Sequence, residues 1–152
     1  MSAAPPAAPP PSSLAIVFAA ILHVAFVIAA SGVVALLLNR DVIDYPDAGP
    51  ILGPAMIAAG GIVVAVAARS TSRARPWFGA LAGAIGAVAA TVVVGAVGYA
   101  MVRGELAWVV LAAGHFALSP LAAVTFVSAF VALAVGWSFA RLPRVPHESS
   151  GE

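Results

Sequence analysis

Three histidines and six acids are the side chains of this 152-residue chain best suited to acid–base or metal chemistry, and their positions decide which chemistry is open. His23 lies about nine residues inside a long apolar run that begins at Leu14. At 1.5 Å rise per residue that is a depth of roughly 14 Å. An ionisable group so placed is a functional hypothesis in its own right. The alternative is a neutral imidazole hydrogen-bonded to a Thr or Ser of a neighbouring helix, since a neutral ring is far cheaper to bury than a charge. His115 is the second candidate, near the far boundary of the apolar region. Two such histidines raise the question of haem, which would need both on one iron. Their expected separation along the helix direction, on the order of 15 Å, argues against that ligation. A re-entrant segment carrying His115 would close part of the distance. His147 falls in a polar tail, where it is solvated.

None of the six acids lies inside an apolar run. Carriers coupled to protons or sodium usually hold an ionisable group at membrane depth. Four-span multidrug carriers have this length and span count, but their first-helix Glu has no counterpart here. Asp41, Asp44 and Asp47 form a DxxDxxD pattern in one connector. Carboxylates suit calcium or magnesium, but such sites need about six oxygens and this is not EF-hand spacing. The plainer reading is a solvated loop, with Asp47 capping the helix that follows. The same connector is rich in turn formers between Tyr45 and Pro54, so a specific role on that face would fall to Asp44 and Asp47. Ser119 follows His115 by four residues, close enough to share a helix face, but Pro120 comes next and no third orienting group is in view. There is no cysteine, which removes disulfides, thiolate metal sites and thiol nucleophiles. No phosphate loop, dinucleotide fingerprint or nucleic-acid surface is present. The sequence therefore implies no enzyme, no cofactor, no metal and no nucleic-acid partner.

The elements that must carry these residues follow from hydropathy. Apolar residues make up 62% of the chain and charged residues 9%, with a mean hydropathy of +1.07. Apolar runs of about 18 residues or more mark membrane-spanning helices, because only internally bonded backbone is tolerated in lipid. The expected fold is all-α, an integral membrane four-helix transmembrane bundle. Residues 1–13 form a disordered Pro/Ala-rich tail with a PxxP match at Pro6 and Pro9, and residues 14–140 form the transmembrane domain. A signal peptide is the rival reading of the first run, but no positive residue precedes it and the run is long. Spans are expected over about 14–38, 51–68, 77–102 and 120–140, with Pro50 and Pro54 in the first turn of the second. The final apolar stretch, 106–140, is 35 residues, more than one span needs, and Ser119-Pro120 divides it. Residues 106–118 are read as interfacial or half-inserted, the alternative being one long kinked helix; residues 141–152 form a polar tail.

Arginine supplies all seven basic residues. Arg69, Arg73 and Arg75 lie in one connector and Arg141 and Arg144 in the C-terminal tail, against Arg40 and Arg103 on the other side. The positive-inside rule then puts both termini in the cytoplasm, which an even span count requires, and makes this a multi-pass protein of the inner (cytoplasmic) membrane. The cluster Arg69, Arg73, Arg75 either binds anionic lipid headgroups or serves topology alone. Small residues recur at i+4 along the third span: Gly79, Gly83, Ala87, Thr91, Gly95. Such a stripe lets helices approach closely. It serves packing against the first or fourth span, or self-association. A weaker stripe, Thr125, Ser128, Ala132, Gly136, marks the fourth.

The Pro-Ala tail, the four spans and the loop sequence PDAGPILGP at 46–54 together resemble uncharacterised small four-span integral membrane proteins of GC-rich bacteria. The heavy Ala, Val, Gly and Pro usage with Arg in place of Lys fits such a genome. That resemblance implies no activity and assigns no site residue. On these grounds the chain is expected to be a non-enzymatic accessory or assembly partner in the lipid bilayer, or else a small transporter or channel component with a cavity near His23.

Overall fold

The computed structural model describes residues 13–39, 49–70 and 76–139, and the described residues are all-helical. Five helices follow in order: α1 (Ser13–Leu38), α2 (Gly49–Ser70), α3 (Pro76–Arg103), α4 (Trp108–Ala117) and α5 (Pro120–Phe139). Four of them, all but α4, are long and apolar enough to cross a membrane. The expected tails, the connector carrying Asp44 and Asp47, and Arg73 and Arg75 lie outside the described residues.

Helix ends carry the local signals that physics requires. Pro76 opens α3 at a position where a missing N–H costs nothing. Gly104 closes it with φ +72, a left-handed conformation that glycine adopts without strain. α2 begins at Gly49, two residues before the expected start, so Pro54 sits in its second turn rather than its first. Its ring removes the bond that would run back to Pro50.

The long apolar stretch is two helices, not one. Leu118 ends α4 with φ −96 and ψ 0, and α5 starts at Pro120. Ser119 is the joint: its hydroxyl donates to the Phe116 carbonyl at 2.7 Å and accepts from the Ala122 N–H at 3.4 Å. A serine N-cap followed by proline is a strong helix start. Ser119→Ala should lower stability by about 1 kcal/mol, read as a fall in thermal midpoint in lipid nanodiscs.

α3 is the hub. It packs against α2, α4 and α5, and among the described residues none of its Cα atoms comes within 8 Å of one in α1. α1 rests on α2 and α5. The expected partner of the α3 stripe was the first or fourth span; α2 takes the place assigned to the first. Large apolar side chains cover the outside of every helix, Ile21, Ile62, Ile85 and Val127 among them, so apolar character does not separate inside from outside. Small size does. The buried residues of α3 are glycine, alanine, Thr91 and Tyr99.

The core falls into two parts. One joins Val27, Leu52, Met56, Tyr99, Phe116 and Leu121 with two alanines. The other is mostly alanine: Ala19, Ala80, Ala84, Ala87, Ala129 and Ala132, with Val64 and Leu133. The polar residues of the interior lie between them along α1, α3 and α5.

Candidate functional site

Four buried polar side chains occur among the described residues: His23, Thr91, Thr125 and Ser128. They come from α1, α3 and α5, and α2 contributes Gly60 to the same place. Gly60 is near the middle of its 22-residue helix, so the group lies roughly 15 Å from either helix end.

His23 is the centre of the group and is fully enclosed, with 0% exposure. Its Nδ1 lies 2.9 Å from Ser128 Oγ, a bond between α1 and α5. The Ser128 hydroxyl also lies 3.0 Å from the Thr125 carbonyl, to which it donates. Ser128 Oγ thus stands between His23 Nδ1 and the Thr125 carbonyl and bonds to both. Nε2 is buried and has no hydrogen-bond partner among the described residues. On the far side, Thr91 Oγ donates to the Met56 carbonyl at 3.3 Å, tying α3 to α2.

Gly60 sets how these groups meet. A Cβ at that position would lie 3.0 Å from Thr91 Oγ1, 3.1 Å from His23 Nε2 and 3.8 Å from the Ala87 carbonyl oxygen. Glycine lets polar atoms of α1 and α3 come close to one another beside α2. Removing the α5 half of the arrangement has a defined cost. Ser128→Ala leaves His23 Nδ1 without its partner and should lower the thermal midpoint by the equivalent of about 1 kcal/mol.

The other expected residues are placed as follows. His115 is on the exposed face of α4, against the Phe116 ring at 6.0 Å between centroids. Ser119 is committed to the helix joint already described. Gly83, Ala87, Thr91 and Gly95 are buried and Gly79 is half-buried. Gly83 meets Ala67 of α2 and Leu133 of α5; Gly95 meets Met56 of α2 and Phe116 of α4. Arg69 is exposed in the last turn of α2. At the other end Arg103 donates from Nε to the Tyr99 hydroxyl at 3.0 Å and lies over the Trp108 ring at 5.2 Å, pinning α4 to α3. An apolar groove of about 630 Å³ opens beside the α4–α5 joint, between Ile85, Val92, Leu118 and Phe126, and its lining contains none of the central polar residues.

Sequence reasoning singled out His23 and left its partner open between Thr and Ser. It placed Thr125 and Ser128 in a packing stripe without joining them to His23. It missed Gly60. The signal was there: Gly60-Gly61 sits inside an apolar helix, where each glycine costs about 1 kcal/mol against alanine and so requires a packing reason.

The arrangement defines a class: an apolar helical bundle closed around a polar node, with no group of three or more metal-ligating side chains among the described residues. Over residues 12–147 the chain matches the Family of unknown function (DUF6121), and it belongs to that family. No curated protein and no solved structure matches it.

Proposed function

We propose that this is a multi-pass protein of a bacterial cytoplasmic membrane, with both termini on the cytoplasmic side. In that membrane it serves as a non-enzymatic accessory or assembly partner of another membrane protein. Four apolar helices of sufficient length support the insertion, and the five-to-two Arg asymmetry supports the orientation.

The observation that carries the assembly reading is the state of α1. Of its 26 residues only Ala19, His23 and Val27 are buried. It touches two neighbours and turns Phe18, Ile21, Phe26 and Val33 outward. In lipid, helices associate through close fit rather than through escape from water. A helix so lightly covered by its own chain has most of its surface left for a helix of another protein. Self-association through α3 is the variant of this reading. It would use the exposed face around Ile85, Ala89 and Val93, because Gly83, Ala87, Thr91 and Gly95 are already taken up inside the bundle.

A second reading, a small transporter or channel component, draws on one observation: the unpartnered Nε2 of His23 at the middle of the bundle. The two separate in one experiment. A tagged copy at normal expression level is extracted in native-lipid particles, and the co-purifying proteins are identified by mass spectrometry. A stoichiometric membrane partner is expected. A solitary oligomer would overturn the assembly reading. Transport would then require that His23→Gln, at unchanged abundance, abolish flux in reconstituted vesicles.

A further inference from the structure

We propose that the groove beside the α4–α5 joint binds a lipid-soluble alcohol, an apolar molecule whose body lies in the groove and whose hydroxyl donates to a backbone carbonyl released at the joint. The groove holds about 630 Å³, within the range of roughly 300–1,000 Å³ that small-molecule sites occupy. α3 supplies Ile85 and Val92 to its lining and α5 supplies Phe126, and the joint itself, Leu118-Ser119, forms part of the wall.

The joint gives this apolar groove a polar feature. In an unbroken helix the Ala122 N–H would bond to the Leu118 carbonyl. Here it turns to Ser119 instead, 3.1 Å from the carbonyl oxygen and 3.4 Å from Oγ. Pro120 has no N–H to offer. The N–H groups of Leu118 and Ser119 satisfy the carbonyls of Gly114, His115 and Phe116. Among the described residues no backbone donor outside the regular helices reaches the Leu118 carbonyl. Depth makes that acceptor costly to leave bare. α4 runs back along the end of α3, with Trp108 against Tyr99 at 5.7 Å between ring centroids and Phe116 against Gly95. The joint therefore shares the groove with Val92, three helical turns before the end of α3 at Arg103, or roughly 16 Å. In a bilayer that is about half of the ~30 Å hydrocarbon thickness, where bulk water supplies no donor. An acyl chain would fill the groove and leave the carbonyl bare. A cation would find no carboxylate in the lining, and an anion would find an acceptor. A neutral hydroxyl on an apolar body suits both the walls and the carbonyl. The site needs no partner protein, so it stands or falls apart from the assembly reading.

The test uses full-length protein in lipid nanodiscs, with thymol as the probe and thymol methyl ether as the control of similar shape without a donor. The dipeptide Leu-Ser occurs once in the chain, at 118–119, so 13C-carbonyl leucine combined with 15N serine singles out the Leu118 carbonyl in solid-state NMR. Thymol should shift that resonance saturably, and the ether should not. Ala89 and Ala123 line the groove and are exposed, so Ala89→Leu with Ala123→Leu fills it without entering the core. In that double variant the response to thymol should fall several-fold. No response to thymol in the parent protein overturns the proposal, as does an equal response to the ether or a response that persists in the filled variant. If the double variant does not fold, Ala123→Leu alone should raise the half-saturating thymol concentration several-fold, and an unchanged concentration overturns the proposal.

Discussion

Gly83→Leu should abolish the folded bundle, so that no monodisperse protein is recovered from detergent or native-lipid particles. The reason is the rigidity of what Gly83 faces. A Cβ there would stand 2.8 Å from Ala67 Cβ and 2.5 Å from Leu133 Cδ1. Leu133 can turn away, but Ala67 has no rotamer to change, so α2 itself must move. Overpacking costs typically about 1–3 kcal/mol even where neighbours adjust. Gly83→Ala should already cost about that much, and leucine adds three more carbons to the same gap. Gly95 provides the contrast. Its Cβ would meet Met56 Cε at 2.6 Å and Phe116 Cδ2 at 3.0 Å, and the first of these is the end of a flexible chain. Gly95→Ala should therefore be milder than Gly83→Ala in thermal midpoint. Gly32→Ala, where nothing lies within 4 Å, should be neutral or slightly stabilising through helix propensity. Equal effects at all three positions would contradict the packing described.

His23→Ala should lower stability by on the order of 2–4 kcal/mol, the range for emptying a large, fully buried site. It removes the ring that fills the centre and the side-chain bond to Ser128 that joins α1 to α5. Thermal unfolding in nanodiscs gives the comparison, with Ser128→Ala beside it. Because the two residues share one bond, the double variant should cost less than the sum of the single ones. Strict additivity would show that the 2.9 Å contact contributes nothing. His23→Gln keeps a hydrogen-bonding group near the same depth and should retain more stability than His23→Ala.

Helix number and approximate extent were legible in the sequence for a plain reason. Arg69, Arg103 and the Pro76 and Ser119-Pro120 breaks interrupt runs that are otherwise apolar, and length alone then makes helices of them. Which face of each helix turns inward was not legible. An amphipathic helix announces its buried side by periodicity, but these helices are apolar all round, so periodicity is silent. The inward faces are chosen by pairwise fit between distant positions: Gly83 with Ala67 and Leu133, Gly98 with Leu52, His23 with Ser128 across 105 positions. The i+4 stripe of α3 was visible because glycine and alanine are small wherever they occur. Its partners were not, since smallness says that something approaches closely without saying what. Gly60 falls between these cases. Its role is to stand aside for two polar atoms of other helices, and nothing local to α2 records their identity.

The division of the core has a geometric outcome. Toward the start of α2 and the end of α3 the interior is filled by Leu52, Met56, Tyr99 and Phe116, and α4 adds a fifth helix; toward the other end the filling is alanine. Alanine lets helices approach closely, so the alanine-filled end has the less room for any larger side chain.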